Sequence, residues 1–369
     1  MTSGEPIRKT GVRALRVSAA DVARAAGVSP ATVSYVLNDR PGVSLEMRSR
    51  VLAVAKDLGF SLERHGARLE PERTRVLGLI HPDISNPFYA ELSAGAIDAA
   101  RAQGYEVFLA HTQERSETLA SVTRAMVARR VDGIILTVLH PDDGDIVREL
   151  RRSSTPFIQL SRRIPHLHAD YVGVDDMAAA EAILRHVASH GYTDLVVITG
   201  PRNSTASAAR AESFVATAKL LGLPLPPARR FNAYLADEGG HRVVQRLVAD
   251  DALPRAIVCG SDAIASGAIG ALRANGLRVP QDVAVTGFDG VFPAASVLAE
   301  LTTVSLPRSR MAALAVDQVI RRIEGCGGPA RDFIQPFHIR VGTSCGCVPD
   351  RRRTAAHRRS TDDTDQGET

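Results

Sequence analysis

The sequence predicts an N-terminal all-α helix-turn-helix headpiece followed by a two-lobed α/β domain, in which helices cover parallel sheets. Residues 18–38 contain two short apolar-periodic runs separated by Gly27, with a serine in front of each run. From Val76 onward, apolar strands alternate with helical stretches, and this alternation breaks near Ser161. The chain has 369 residues, of which 44% are hydrophobic and 23% charged, and this suits two or three folding units.

Three N-terminal helices are predicted from their start signals. Ser18 and Asp21 form an S-x-x-D capping box, Ser29 precedes a proline at a first helical position, and Ser44 precedes a third periodic run. Gly27 supplies the turn between the first two helices. The apolar positions predicted to form one small shared core are Val22, Ala26, Val33, Val36, Leu37, Val51, Leu52, Val54 and Leu58.

The second helix keeps a small and polar face once its apolar positions point inward. That face comprises Pro30, Ala31, Thr32, Ser34 and Tyr35. In helix-turn-helix proteins, such positions on the second helix enter the major groove of DNA. From spacing alone, a plain helical bundle with these residues as ordinary surface is the alternative.

Positive charge is concentrated in the same part of the chain. Residues 1–75 carry 13 Lys and Arg against 8 Asp and Glu, whereas the remainder carries 32 against 33. An excess of this sign favours a polyanion as partner, although solvated surface can produce it too. The basic leader, residues 1–16, is expected to be disordered, and phosphate contact by its arginines is the alternative.

Strand and helix signals alternate throughout the second domain, which predicts parallel sheets covered by helices. In such sheets, ligands bind beyond the carboxyl ends of the strands. Two consecutive arrays therefore predict two lobes around a ligand cleft. The predicted strands are residues 76–83, 105–111, 131–138, 156–161, 195–200, 256–261, 283–289 and 301–306.

The sequence lacks the signatures of several other functions. It contains no GxGxxG or P-loop spacing, no G-x-S-x-G elbow and no H-E-x-x-H motif. Cys259, Cys326, Cys345 and Cys347 are predicted to be free thiols, because no second pair accompanies Cys345-x-Cys347 to complete a tetrahedral site. We expect no catalytic residue, no cofactor and no metal. Without an apolar span or a secretion signal, we also expect a cytoplasmic protein with no membrane partner.

Several segments carry a family resemblance. In the headpiece they are DVARAAGVSPATVSYVLNDRPGVS from Asp21 and RVLAVAKDLGF from Arg50; in the second domain they include NPFYAEL, RRVDGIIL, VGVDD, SDAIASGAI, GLRVPQDVAVTGFD and LTTVSLP. These segments resemble the LacI/GalR family of bacterial transcriptional regulators, whose effector-binding domain shares its fold with periplasmic sugar-binding proteins. The resemblance implies a regulator, most simply a repressor, that binds a palindromic double-stranded DNA operator as a homodimer under the control of a small-molecule effector.

The resemblance also implies which residues contact the operator. Pro30, Ala31 and Tyr35 match base-reading positions, and Thr32 and Ser34 match positions that contact the DNA backbone. Since Ala31 offers only a methyl group, Tyr35 is expected to carry most of the hydrogen-bond readout. The complete expected DNA-binding set is Ser29, Pro30, Ala31, Thr32, Ser34, Tyr35, Asn38 and Leu69.

The segment after the headpiece departs from the family's hinge. Leu69 falls on the position whose leucine enters the minor groove and bends the duplex. However, Leu62-Glu63 stands where Pro-Asn is usual, Gly66 costs a helix roughly 1 kcal/mol relative to alanine, and Pro71 ends any helix. We expect either modest operator affinity or compensation by other contacts. A regulator that binds DNA weakly, or only with a partner protein, is the alternative.

For the effector, the resemblance implies contacts from both lobes. Arg210 and Asp289 match the family's effector-binding arginine and aspartate, and such a pair orients a hydroxyl-rich or heterocyclic molecule. From the residues alone, each can equally be structural. Ser161 stands where an aspartate is common, which leaves a sugar, a nucleoside or another metabolite open. The expected effector-binding residues are Phe88, Tyr89, Ser161, Arg210, Tyr234, Ser261 and Asp289.

The resulting predicted boundaries are a leader (1–16), a headpiece (17–61), a hinge (62–74), an effector-binding domain (75–348) and a disordered tail (349–369). Within the effector-binding domain, lobe 1 is predicted over residues 75–161 and 292–325, and lobe 2 over residues 162–291 and 326–348. The tail contains no Leu, Ile, Val, Phe or Met, so it cannot form a tetramerising coiled coil.

Two other classes of function compete with a regulator. A solute-binding protein of the same two-lobed fold would need an export signal and would not need residues 18–60. An enzyme would use the carboxylates and histidines of the cleft, but the spacing identifies no nucleophile with its base.

Overall fold

The computed structural model describes residues 17–37, 42–58, 60, 73–164, 167–291 and 300–348. Predictions for the leader, most of the hinge, Asn38, Leu69 and the tail concern residues outside this described part. The chain divides into two compact units, one ending at Arg73 and the other beginning at Thr74.

The N-terminal unit contains the three predicted helices, α1 (Ala19–Ala26), α2 (Pro30–Leu37) and α3 (Leu45–Asp57). Leu52 and Leu58, which the apolar pattern placed in the core, are instead 37% and 39% exposed, because each short helix buries a single stripe of side chains. The shared core consists of Val22, Ala23, Ala26, Val33, Val36, Val51, Ala55 and Phe60.

Helices α1 and α2 begin at the serines that the sequence indicated. Ser18 Oγ accepts the N–H of Asp21 at 3.3 Å, and the Asp21 carboxylate accepts the N–H of Ser18 at 2.9 Å, which completes the capping box. Ser29 Oγ accepts the N–H of Thr32 at 3.1 Å. Gly27 ends α1 with φ +67°, a left-handed conformation that glycine adopts without strain. Caps of this kind contribute about 1 kcal/mol each, which matters for helices too short to be stable alone.

The second unit alternates strands and helices along the chain. Its strands are β1 (Val76–His81), β2 (Glu106–His111), β3 (Gly133–Leu136), β4 (Phe157–Leu160), β5 (Tyr171–Gly173), β6 (Leu195–Thr199), β7 (Arg230–Asn232), β8 (Ala256–Cys259), β9 (Ala284–Asp289), β10 (Thr302–Ser305), β11 (Asp332–Ile334) and β12 (His338–Arg340). Its helices are α4 (Pro87–Ala102), α5 (Ser116–Ala128), α6 (Gly144–Arg152), α7 (Asp176–Ser189), α8 (Thr205–Leu220), α9 (Asp237–Ala249), α10 (Asp262–Ala274) and α11 (Arg308–Ile323). Within the described ranges, no helix is long and apolar enough to cross a membrane.

These strands form two six-stranded sheets, ordered β11-β5-β4-β3-β1-β2 and β12-β10-β9-β8-β6-β7. All described pairings are parallel except that of β10 with β12. The eight predicted apolar runs all form strands, and the two-lobed fold class is confirmed. The strands that the sequence did not indicate, β5, β7, β11 and β12, have three residues each, which is too short for a periodic pattern.

The sheets differ from the predicted division into lobes at three strands. β5 and β11 were predicted in lobe 2. In the structure, β11 pairs with β5, and β5 pairs with β4, so both belong to the first sheet. β10, predicted in lobe 1, pairs with β9 in the second sheet. The chain crosses between the lobes three times, as predicted, but the crossings fall between β5 and β6, between β10 and β11, and between β11 and β12. Their positions differ because local sequence does not determine which sheet a short strand joins. Below, lobe 1 is the first sheet with its helices, and lobe 2 is the second sheet with its helices.

Arg308, the first residue of α11, fastens the two lobes together beside these crossovers. Its Nε donates to the Glu91 carboxylate on α4 at 2.6 Å. The rest of its guanidinium donates to the carbonyls of Asp289 and of Gly290, the latter at 2.9 Å. The carboxyl end of β9 is thereby held against a helix of lobe 1.

Candidate functional site

The predicted effector residues all belong to segments that follow strands. Parallel strands of one sheet end at a common edge, so these segments meet at the mouth of the cleft. The residues are Phe88 and Tyr89 after β1, Ser161 after β4, Arg210 in the helix after β6, Tyr234 after β7, Ser261 after β8, and Asp289 at the end of β9.

Arg210 is the centre of a buried polar network in lobe 2. Its Nε donates to Asp176 at 2.7 Å, and its Nη1 donates to the Gly260 carbonyl at 2.7 Å and to Asp289 at 3.3 Å. The guanidinium carbon lies 3.7 Å from the ring centre of Phe288. Packing against the ring and ionic hydrogen bonds together fix the orientation of this cation.

Burial sets the protonation of the two carboxylates in this network. It raises the pKa of Asp289 to about 6, against the opposing charges of Arg210 and Arg308. It also raises the pKa of Asp176, again opposed by Arg210. For Arg210, burial works against the charged form, but the charges of Asp176 and Asp289 outweigh it and raise the pKa. The network therefore offers an ionic acceptor and an ionic donor in one place.

Tyr89 belongs to a second buried polar network, in lobe 1. Arg162 donates to this hydroxyl at 3.1 Å and to both oxygens of Glu114 at 2.8 Å. Burial raises the pKa of Tyr89 to about 12; the Arg162 charge opposes this rise, and the charges of Glu114 and Asp289 add to it. The two predicted effector residues Tyr89 and Asp289 therefore interact electrostatically. Phe88 packs edge-on against Tyr89, with ring centres 5.1 Å apart.

The remaining predicted effector residues are less closely associated with this network. Ser161 is buried with φ +68°, and its carbonyl accepts from the Tyr171 hydroxyl at 3.3 Å. Ser261 Oγ caps α10 by accepting the N–H of Ile264 at 3.2 Å. Tyr234 is 69% exposed. The structure thus brings Arg210 and Asp289 together most directly.

A cavity of about 390 Å³ lies between the lobes, on the side of the crossover strands. Ser161 is the predicted effector residue that lines it. Asp176, Thr205 and Asp332 add polar groups to its wall, and the sequence analysis did not select them. Asp176 lies in the segment VGVDD, which carries the family resemblance and could have singled it out. No local sequence feature marks Thr205 or Asp332.

Asp262 is another residue that sequence reasoning missed. It accepts the N–H of Val291 at 2.7 Å and the hydroxyl of Thr303 at 2.5 Å, and so it fixes the segment immediately after Asp289. Burial raises its pKa to about 8, the Asp289 charge adds to the rise, and the two hydrogen bonds oppose it. Its signal in the sequence was its position directly after Ser261.

At the opposite end of the cleft, Asn86 joins the two lobes. Asn86 caps α4, and its side-chain Nδ2 donates to the Leu235 carbonyl at 2.9 Å. Leu235 follows β7, which is the edge strand farthest from β10 and β12 in the second sheet. The cleft is therefore bounded by covalent crossovers at one end and by this hydrogen bond at the other.

The headpiece presents the predicted DNA-contacting face on its second helix. Ser29, Pro30, Ala31 and Ser34 are exposed, and Thr32 is half-buried beneath the Ser29 cap. Tyr35 is 43% exposed, whereas Val33 and Val36 are buried beneath it. α2 thus keeps small and polar groups outward, as a helix that enters a major groove does.

A helix-turn-helix unit joined to a two-lobed domain with a polar cleft defines a class of protein: a DNA-binding regulator that responds to a ligand. A profile of bacterial regulatory proteins of the lacI family matches residues 19–62. A profile of periplasmic binding proteins and the sugar binding domain of the LacI family matches residues 74–340. The chain belongs to the LacI family, and it is a DNA-binding transcription regulator controlled by an effector. The alternative of a solute-capturing protein is not favoured.

Relatives with known names support this placement. The HTH-type transcriptional regulator MalR of Streptomyces coelicolor (strain ATCC BAA-471 / A3(2) / M145) is 34% identical over 341 residues, which covers 90% of this chain and 98% of MalR. The ribose operon repressor of Escherichia coli (strain K12) is 30% identical over 305 residues, which covers 82% of this chain and 92% of that repressor. Both are named as regulators of transcription, not as enzymes.

Solved structures share the fold. The transcriptional regulator CelR-cellobiose complex superposes with a TM-score of 0.67 at 25% identity, covering 89% of this chain and 100% of that one. The lac repressor dimer bound to operator and the anti-inducer ONPF gives a TM-score of 0.66 at 20% identity, covering 90% of this chain and 99% of that one. At that lower identity, the second likeness concerns the fold alone.

The raised pKa of Asp289 predicts a specific pH dependence of stability. The folded-state pKa of about 6 exceeds the ordinary aspartate value of 3.8, so the folded protein binds this proton more tightly than the unfolded chain. The resulting stability is present below pH 4 and is lost as pH rises through 6. Between pH 4 and pH 7, the wild type is expected to lose roughly 3 kcal/mol relative to Asp289→Asn, measured by denaturant unfolding.

Asp282→Asn is the matched control for this prediction. A hydrogen bond from Arg278 lowers the pKa of Asp282 to about 2, so this carboxylate is ionised throughout that pH window. The stability difference between the wild type and Asp282→Asn is expected to stay flat. If the stability difference between the wild type and Asp289→Asn also stayed constant between pH 4 and pH 7, the raised pKa of Asp289 would be refuted.

Proposed function

We propose that this protein is a repressor that binds a palindromic operator as a homodimer, with an affinity set by a sugar-class effector in the cleft. The observation that carries the proposal is the buried Arg210–Asp289 ion pair at the carboxyl end of β9 in lobe 2. A guanidinium and a carboxylate held together in this way provide the donors and acceptors that orient a polyhydroxylated molecule.

The effector class is supported by chemistry and by relatives. One similar protein is a ribose operon repressor, and one similar structure contains cellobiose. The network around Arg210, the hydroxyls of Ser161 and Thr205, and the exposed ring of Tyr234 suit hydroxyl groups and a sugar face. Ser161, in place of an aspartate, removes one charged acceptor and so favours a different pattern of hydroxyls.

Contact with the operator is assigned to the headpiece. We assign base readout to Pro30, Ala31 and Tyr35, with Tyr35 as the main hydrogen-bonding group. The proposal also includes Leu69 as a minor-groove wedge between two subunits, and it includes the hinge, leader and tail boundaries given above. Two headpieces on a palindrome multiply the phosphate contacts of one, which is the physical reason for a dimer.

We expect the effector to regulate operator affinity by changing how the two lobes are arranged relative to each other. An effector that binds one arrangement of the lobes more tightly shifts the population toward it. In a dimer, such a shift changes the spacing of two headpieces and their fit to two half-sites. Operator and effector affinities are then coupled reciprocally. The protein acts by binding, without turnover of its ligand, and it acts in the cytoplasm where its DNA lies.

The experiment that tests this function is selection from randomised duplex DNA at near-physiological salt. Enrichment of a palindrome with a flexible central step is expected. Leu69→Ala should then weaken binding to that site, whereas unchanged affinity would remove the minor-groove wedge from the proposal. Retention of DNA that is only salt-sensitive and independent of sequence would overturn the assignment as a specific repressor.

Tyr35→Ala should weaken binding to the selected operator by about 1–3 kcal/mol and relax the base preference at one position of each half-site. The physical reason is the loss of the main base-directed hydrogen bond. Fluorescence anisotropy with labelled duplexes measures both effects. Tyr234→Ala is the control: it removes another exposed tyrosine and should leave operator affinity unchanged without effector. Equal losses in the two variants would contradict the role of Tyr35.

A further inference from the structure

A second cluster of reactive side chains lies in lobe 2, between α7 and the turn that follows β12. His186 lies in the last turn of α7, His190 is the residue that caps its C-terminus, and the turn carries Cys345 and Cys347. The prediction that Cys345-x-Cys347 has no second pair is wrong. One ligand atom from each of the four residues lies within 4.8 Å of all the others. Sequence spacing could not reveal this, because more than 150 residues separate the two pairs.

The separations match those of a tetrahedral metal site. His186 Nε2 lies 3.3 Å from Cys345 Sγ and 3.8 Å from Cys347 Sγ. His190 Nε2 lies 3.3 Å from Cys347 Sγ. Bonds of ~2.3 Å to sulfur and ~2.0 Å to nitrogen place tetrahedral nitrogen and sulfur ligands about 3.5 Å apart. The four atoms therefore surround a space of the right size for one zinc-like ion.

Each ligand pair is arranged by local structure. His190 caps the C-terminus of α7 with helical backbone angles, four residues after His186, which places both rings on the same side. Their ring centres are 5.1 Å apart. Between the cysteines, Gly346 has φ +96°, a left-handed conformation that lets a Cys-x-Cys turn direct both sulfurs to one side.

The surroundings of Cys345 hold this turn in place. Cys345 is fully buried, and the Thr302 hydroxyl donates to its sulfur at 3.0 Å. The neighbouring Ser344 donates through Oγ to the Val285 carbonyl at 2.7 Å and accepts the N–H of Thr302 at 2.9 Å. Partners behind a ligand orient it and strengthen metal binding. The cysteine turn is thus attached to β9 and β10 before any ion binds.

We propose that His186, His190, Cys345 and Cys347 form a structural binding site for one divalent zinc-class ion. Two thiolates and two imidazoles select such an ion over magnesium or calcium, which prefer oxygen ligands. Four protein ligands leave no open position for a reacting molecule, so the site is structural. Its role is to fasten the segment after β12 to α7 in lobe 2. This site is separate from the effector cleft and independent of the proposed regulation.

The test uses the full-length chain without an affinity tag, freed of metal under reducing conditions. Zn²⁺ alone is titrated against a chromophoric chelator, and Co²⁺ alone is used to record the visible absorption of a tetrahedral thiolate complex. We expect one ion per chain. His190→Ala and Cys347→Ser should each weaken Zn²⁺ binding at least about 100-fold. His241→Ala and Cys326→Ser remove the same residue types outside the cluster and should leave affinity unchanged.

Hydrogen exchange provides a second readout for variants that fold poorly. Bound Zn²⁺ should slow exchange in the wild-type segment 338–348 and in the half of α7 that carries the histidines, and not in α9. The proposal is overturned if the reduced wild type binds no stoichiometric Zn²⁺. It is also overturned if Cys347→Ser binds as tightly as the wild type, or if Zn²⁺ leaves exchange in both segments unchanged.

Discussion

Arg210→Met is expected to lower the free energy of unfolding of the second unit by about 3–5 kcal/mol. Arg210 is 6% exposed at its side chain and is the ionic partner of both Asp176 and Asp289. Removing the guanidinium leaves two buried carboxylates and the Gly260 carbonyl without this donor. Denaturant unfolding measures the loss. Under the proposed function, the same variant should no longer change its operator affinity when effector is added, because Arg210 is there assigned as a donor to the ligand.

Two further variants make this expectation specific. Arg242→Met removes an exposed arginine that pairs with Glu238 one turn away on α9, and it should change stability by less than about 0.5 kcal/mol. Adding Asp289→Asn to Arg210→Met removes one of the orphaned charges and should restore part of the lost stability. A loss of similar size for Arg242→Met, or no recovery in the double variant, would contradict the account of the buried network.

Val33→Asp is expected to abolish specific operator binding, with a loss of at least about 100-fold. Val33 is fully buried in the eight-residue core of the headpiece. Burying a carboxylate there costs several kcal/mol, and a unit this small has only a few kcal/mol of stability. Operator titration measures the loss, and circular dichroism should show less helix. Effector binding should persist, since the second unit has its own hydrophobic cores.

Leu52→Asp is the control for the headpiece. It places the same charge on α3 at a side chain that is 37% exposed, where water solvates the carboxylate. The headpiece should remain folded, with the helical signal of the wild type. If Val33→Asp retained wild-type operator affinity, the buried face of α2 would have to be assigned differently.

Signals that are local in the sequence predicted structure well. The capping box of Ser18 and Asp21 and the turn at Gly27 fix the start and the end of α1 through atoms no more than a few residues apart. In the second unit, the longer apolar runs became strands because four or more alternating or continuous apolar residues can be buried only in one way. The family resemblance placed Arg210 and Asp289 in one effector site, and in the structure these two side chains are hydrogen-bonded to each other.

Other features depend on contacts that local sequence does not encode. β5, β10 and β11 join sheets other than the expected ones, since three or four residues carry too little pattern to specify a partner strand. The meeting of His186 with Cys345 depends on how α7 packs beside the end of the second sheet. Asp332, which lines the cleft, belongs to a strand that the sequence did not indicate. In each case, the information lies in the long-range arrangement of elements.

The hydrogen bond from Asn86 to Leu235 has a consequence for the rate of ligand exchange. A neutral hydrogen bond contributes about 1 kcal/mol net, which biases an equilibrium roughly fivefold. Thermal motion breaks such a bond frequently, so the end of the cleft opposite the crossovers can admit an effector without disrupting the core. In the proposed function, the contacts of the effector with Arg210 and Asp289 determine its equilibrium affinity, whereas the Asn86 hydrogen bond affects the rates of entry and departure. Loss of Asn86 should therefore accelerate entry and departure together while leaving their ratio nearly constant.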